Sequence, residues 1–227
     1  MGAATAQLLR HLGCEVDYNP EAACCGRVVY SEGRIDEARA VAETFIEVHA
    51  GDEAVVCPSG SCTAMVKECY PQLFKGSRYE NGADMCREHT FELSQFLVRE
   101  GLCEKIEGCF LGKVGSMLSC HSQRYLGLKD ELKLLFQNIS GCEVVHVGDR
   151  ECCGFGGLFC ARFDGIASGM AHTKLEMFLD RGIETIVAND PGCILHLRKE
   201  AKFYNFSVRV LHLAEFLVEA MKITVAI

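Results

Sequence analysis

The sequence predicts an α/β fold made of two related halves, and three observations carry that prediction. Strand-like and helix-like segments alternate, long stretches recur in the same order, and each half carries one Cys-Cys-Gly triplet. "LLRHLGCEVDYNPEAACCG" (Leu8 to Gly26) resembles "LLFQNISGCEVVHVGDRECCG" (Leu134 to Gly154), with GCEV and CCG both offset by 128 positions. "AVVCPSGSC" (Ala54 to Cys62) matches "TIVANDPGC" (Thr185 to Cys193) at an offset of 131, and "ELSQFLVREG" (Glu92 to Gly101) matches "HLAEFLVEAM" (His212 to Met221) at 120. Ordered matches with small changes of offset indicate duplication with loop insertions and deletions. The expected halves are residues 1–108 and 109–227.

Each half then reads as the same series of elements. An apolar pattern at helical spacing ("TAQLLRHLG"; "LKDELKLLFQNI") leads through a glycine into a short strand ("CEVDY", Cys14 to Tyr18; "CEVVHV", Cys142 to Val147) and the CCG loop. A second helix follows, from about Ile35 to Val48 and from about Ile166 to Leu179. It leads to a compact apolar strand ("EAVVC"; "ETIVA") that stops at a Gly- or Pro-containing turn. Such alternation predicts two pseudo-symmetric, Rossmann-like halves whose parallel sheets are covered by helices. Right-handed crossovers bring the strand C-terminal ends to one edge, where ligands sit in such sheets.

The repeat is uneven at its start. The second half opens with a strand, "GKVGSMLSCHSQR", that carries Cys120, and residue 1 aligns with about residue 127, so the first half has no counterpart of it. The first half is therefore expected to lack its N-terminal strand and one thiol, through truncation or loss.

Composition narrows the function classes. Nearly half of the 227 residues are hydrophobic, yet no run approaches the roughly 18 apolar residues that a membrane helix requires. The start "MGAATAQLLRHLG" lacks the features of a signal peptide, which points to the cytoplasm. A net charge of −8 with dispersed acidic residues argues against nucleic acid as a partner. Fifteen cysteines without an export signal suggest metal binding or redox chemistry over a disulfide framework.

The thiols supported by the repeat are Cys120, Cys152, Cys153 and Cys193 in the second half and Cys24, Cys25 and Cys62 in the first. Four thiolates match the ligand number of an iron-sulfur cluster or of a structural zinc site. Adjacent cysteines must diverge, which suits a body with several metal atoms, and Gly26, Gly154, Gly156 and Gly157 allow close backbone approach. Cys14 and Cys142 read as core residues of strands, and Cys69, Cys86, Cys103, Cys109 and Cys160 as structural. Cys57, five residues before Cys62, is a candidate substitute for the missing first-half thiol, and its repeat counterpart is Ala188. His121 is either a hydrogen-bond donor or ligand beside Cys120 or a surface histidine, and Arg124 either balances anionic charge or is solvated. His196 and His212 read as core histidines on apolar helical faces. "GFGG" after the second CCG is not a dinucleotide fingerprint.

Cys…CCG…Cys, duplicated on an α/β chain, resembles the cysteine-rich CCG-domain proteins, which include the cysteine-rich component of heterodisulfide reductase and the iron-sulfur component of glycolate oxidase. "PSGSC", "SCHSQR", "CCGFGG", "NDPGC" and "LHLAEFL" are most similar to the lactate utilisation protein A family. The resemblance implies an electron-transfer subunit, non-catalytic or co-catalytic, of a complex that oxidises a 2-hydroxy acid, with L-lactate to pyruvate first among the candidates. It implies one or two iron-sulfur clusters, of the 4Fe-4S type, on the cysteines named above. It also implies iron-sulfur and flavin-type partner subunits, and a cytoplasmic location that becomes peripheral at the membrane through those partners. Where the heterodisulfide reductase branch places a CxxC pair, this chain has Ser59 and Asp190, which favours a simpler cluster. Two alternatives use the same cysteines: a zinc-stabilised structural subunit, and a thiol/disulfide oxidoreductase of the heterodisulfide reductase kind working through Cys152 and Cys153.

Overall fold

The computed structural model describes residues 1–19, 24–147 and 151–223. Residues 20–23 and 148–150, which belong to the loops expected to lead into the two CCG triplets, lie outside the described residues, as does the tail 224–227.

The first half runs α1 (Gly2–His11), α2 (Arg27–Ser31), α3 (Ile35–His49), β1 (Val55–Cys57), α4 (Gly60–Ala64), a π-helical turn (Met65–Cys69), α5 (Tyr70–Leu73), α6 (Glu80–His89), β2 (Thr90–Glu92) and α7 (Leu93–Arg99). A 3-10 turn, Leu102–Lys105, joins it to β3 (Gly108–Met117), α8 (Cys120–Arg124), α9 (Glu131–Phe136), β4 (Ile139–His146), α10 (Phe159–Arg162) and α11 (Asp164–Leu179). The chain continues through β5 (Thr185–Ala188), α12 (Pro191–Phe203), β6 (Arg209–His212) and α13 (Leu213–Ala220). The expected α/β class is what the chain adopts: every strand pairing is parallel, and helices flank the sheets.

The sheets differ in width. In the second half the order is β4-β3-β5-β6, whereas among the described residues of the first half β1 pairs with β2 alone. β3 lies between β4 and β5, and among the described residues no strand takes its place in the first half, where one expected element is corrected. Cys14 to Tyr18 was expected to be a strand like β4, yet no described residue of that stretch is in a ladder. Among the described residues no strand lies beside this segment to form a ladder with it. A cavity of about 750 Å3 opens instead between Cys14, Val16 and Tyr18 on one side and Val56 and Pro58 on the other. β5, flanked on both edges, is buried along its whole length, while β1 is only half-buried.

α3 and α11 fall close to where helical periodicity places them. α9 is shorter than its pattern, because Ile139 begins β4. α3 buries Ala38, Ala42, Phe45 and Ile46, a single face at a spacing of three to four, and α11 buries Ala167, Ala171, Leu175 and Phe178. The CCG glycines explain how close these helices come. A Cβ on Gly154 would lie 2.6 Å from the carbonyl oxygen of Ala167, and one on Gly26 3.1 Å from that of Ala38. Both glycines also have positive φ, 86° and 80°. No other residue satisfies both demands without strain.

One hydrophobic core draws on both halves. Leu8 and Leu9 of α1, Leu93 and Leu97 of α7, Val114 of β3, Leu132 and Phe136 of α9, and Phe216 and Leu217 of α13 pack together.

Two buried residues start the last helix of each half. Glu92 caps α7 by accepting from Ser94 N–H at 2.8 Å and Gln95 N–H at 3.3 Å, and its repeat counterpart His212 caps α13. His212 was expected on an apolar helical face, but it ends β6 and stands ahead of the helix. Its Nδ1 accepts from Ala214 N–H, so Nε2 carries the proton and donates to the carbonyl oxygen of Pro58 at 3.0 Å. Protonation would turn Nδ1 into a donor facing an N–H. Burial above all holds the imidazole at a pKa of about 4. Burial likewise raises the carboxyl of Glu92 to about 7.

Above a pH of roughly 4.5 an unfolded chain ionises Glu92 while the folded chain keeps its proton, so this residue takes stability away as pH rises toward 7. Glu92→Gln, which keeps the capping oxygen, is expected to gain up to about 3 kcal/mol over wild type at pH 8 and nothing at pH 4. Denaturant unfolding at the two pH values measures the difference, and an equal effect at both would contradict the assignment.

Candidate metal centre

Three of the candidate thiols stand in the first turn of a helix that follows a strand: Cys62 after β1, Cys120 after β3 and Cys193 after β5. Cys152 and Cys153 follow β4, and Cys24 and Cys25 follow the unpaired Cys14 to Tyr18 stretch. The structure thus gathers each half's candidates along the C-terminal edge of its parallel strands.

Within each half the sulfurs touch in sequence. In the second, Cys152 lies beside Cys120 and Cys153, and Cys153 also lies beside Cys193. In the first, Cys25 lies beside Cys24 and Cys62. Of two neighbouring thiols that share a proton, one is favoured as thiolate and the other is held protonated. Cys152 is accordingly lowered to about 2, by Cys120 first and then Cys153, with help from Gly154 N–H at 3.4 Å and the charge of Arg124. Cys62 is lowered to about 3 by Cys25, Cys57 and Ser59, and Cys24 to about 6 by Cys25. Their neighbours Cys120, Cys25 and Cys153 are pushed up. Cys25, Cys153 and Cys193 are buried, whereas Cys24 is exposed.

Among the described residues no group of three or more His, Cys, Asp or Glu side chains is placed to hold a single metal ion. The sulfurs form a row instead of surrounding one point. Four soft donors, with Gly154 N–H turned toward Cys152, are of the type and number that an iron-sulfur cluster takes. The second-half residues therefore fit such a group by donor type and number.

The positions where the related branch carries an additional cysteine turn out to be helix caps. Asp190 caps α12, accepting from Gly192 N–H at 3.0 Å and Cys193 N–H at 3.4 Å through Oδ1. Its Oδ2 accepts from Ser61 N–H at 2.8 Å and from the Ser59 hydroxyl at 3.3 Å, across the two halves. Ser59 caps α4 through Cys62 N–H. Asn189 adds to the same junction, accepting from Ser119 N–H at 2.9 Å and donating to Ser122 Oγ at 2.8 Å. Gly60 leaves room for this contact, since a Cβ there would lie 1.9 Å from Ser122 Oγ. Sequence reasoning did not recognise the caps, although "DPGC", an acidic residue before Pro at the first helical position, carries the signal.

His121 lies on α8 and is half-buried, not on a surface loop. Its Nε2 is 2.7 Å from Nη2 of Arg27, and a guanidinium only donates, so the ring proton sits on Nδ1. That nitrogen is 3.7 Å from Cys120 Sγ. Burial, followed by the charge of Arg27, keeps the ring below the usual histidine range and therefore neutral. Arg27 also reaches Cys69 Sγ at 3.8 Å. The role of Arg27 was not legible, because its partner is 94 positions away. His196 is the expected core histidine, buried on α12 and bonded to the carbonyl oxygen of Ala167 at 3.3 Å.

A family model described as a cysteine-rich domain, CCG, matches residues 1–67 and 114–198. Proteins named lactate utilization protein A are similar over nearly the whole length. The one from Geobacillus sp. (strain WCH70) is 34% identical, with 95% of this chain and 91% of the relative covered. That of Geobacillus kaustophilus is 35% identical over 96% and 91%, and that of Bacillus subtilis 34% over 96% and 92%.

Asp190→Ala strips acceptors from α12 and α4 together and is expected to cost about 3 kcal/mol, whereas Ser59→Ala should cost about 1. Urea unfolding of the metal-free chain tests this. Equal losses would mean that Asp190 serves its own helix alone.

Proposed function

We propose, since this chain belongs to the cysteine-rich CCG-domain family, that it is an iron-sulfur electron-transfer subunit of a complex oxidising a 2-hydroxy acid, L-lactate to pyruvate being the reaction that the names of its relatives favour. The observation that carries this reading is the second-half row of Cys120, Cys152, Cys153 and Cys193 at the C-terminal edge of the strands. Two buried thiols and two half-buried ones give such a site both shelter and a path to a partner.

These four cysteines would hold the cluster, which supplies one-electron chemistry when bound. Its neighbours lower Cys152, which favours the thiolate form that ligation requires. Gly154 N–H, the Nδ1–H of His121 and the charge of Arg124 all act on the sulfurs of Cys120 and Cys152. Donors and cations near ligand sulfur favour the more reduced, more negative state and raise the potential. Substrate chemistry belongs in this reading to partner subunits, iron-sulfur and flavin-type, met in the cytoplasm or at the membrane surface. Among the described residues no helix is long and apolar enough to cross a membrane.

Anaerobic reconstitution with iron and sulfide, followed by metal and acid-labile sulfide counts and low-temperature EPR, tests the reading. Iron and sulfide should appear together, and Cys152→Ala or Cys193→Ala should remove the second-half share. Cys160→Ala should leave it, since that thiol turns to the carbonyl oxygen of Gly157 at 3.1 Å. Zinc without sulfide would replace this reading with a structural site, and thiol exchange that survives Cys193→Ala but not Cys153→Ala would replace it with disulfide chemistry.

A further inference from the structure

We infer that Cys57 is a fourth thiolate ligand of the first half, so that Cys24, Cys25, Cys57 and Cys62 hold a cluster of their own; this rests on the iron-sulfur reading above. Geometry brings Cys57 into the row. It ends β1 in register with Glu92, and its sulfur lies beside that of Cys62, which also neighbours Cys25. The first-half row is thus Cys24, Cys25, Cys62, Cys57, equal in number to the row of the second half. Cys69, another buried thiol of this half, is directed away to Arg27 and Tyr30.

The fold does not require a thiol at this position. Its repeat counterpart, Ala188, is fully buried in the core around β5, so an alanine ends the equivalent strand. The spacing Cys57-x4-Cys62 places one sulfur at a strand end and the next in the first turn of the following helix. The same C-x4-C interval recurs among the thiolate ligands of plant-type clusters. The turn between the two is fixed from both sides: His212 bonds the carbonyl oxygen of Pro58, and Ser59 caps α4.

Cys57 enters at the opposite end of its row from Cys120. In the second half the thiol beyond the CCG pair touches Cys152, and in the first it touches Cys62. The two sites therefore have different surroundings, Glu92 and Thr63 in one and His121 and Arg124 in the other.

Iron and sulfide counts with EPR on the reconstituted 227-residue chain distinguish this inference from the reading beneath it. Wild type should give two signals. Cys57→Ala, with the residue that position 188 already carries, and Cys57→Val should each roughly halve the iron and remove one signal while far-UV circular dichroism stays unchanged. Cys193→Ala should remove the other signal, and the Cys57→Ala, Cys193→Ala double variant should bind almost no iron. If both Cys57 variants keep wild-type iron and both signals, or if the iron is lost with Cys193→Ala alone, the inference falls and the iron-sulfur reading stands. A wild-type chain that takes up neither iron nor sulfide overturns both.

Discussion

The carboxylate of Asp190 is the interaction on which the rest of this structure depends. It is buried and accepts from two backbone N–H groups of its own helix and from the backbone and hydroxyl of the other half's equivalent turn. A buried charge survives only with its hydrogen bonds complete, and here no single half can complete them. The starts of α4 and α12 are therefore held at a fixed distance, and with them Cys62 and Cys193. Asn189 and Ser122 extend the same restraint to α8 and Cys120.

Duplication has produced equivalent positions that solve one problem with different chemistry. Ser59 and Asp190 both cap the helix that carries the last thiol of a set, one as a neutral hydroxyl and one as a carboxylate. Glu92 and His212 both cap the closing helix, and burial pushes each toward its neutral form from opposite directions. A capping position demands an acceptor and nothing more, so the repeat tolerates any side chain that offers one. The CCG glycines show the contrary case. There the backbone of α3 or α11 lies against the residue, and neither half has diverged.

Much of this was legible in the sequence because the signals are local or repeated. Helices α3 and α11 and strands β1 and β5 follow from periodicity, and matched offsets single out the cysteines proposed as ligands. What was missed depends on the third dimension. The segment at Cys14 to Tyr18 has a strand's composition, but strands exist by pairing, and no composition shows whether a neighbour is present. Arg27 and Asp190 act through partners in the opposite half. His212 lay in an apolar stretch, and only the path of β6 into α13 makes it a cap.

The contact between Arg27 and His121 has a consequence for how the halves meet. The guanidinium fixes the imidazole in one tautomer, its Nδ1–H end turned to Cys120, while the same cation acts on Cys62. The ring is then an oriented dipole between the thiols of the two halves, held by a cation of one and pointed at a sulfur of the other.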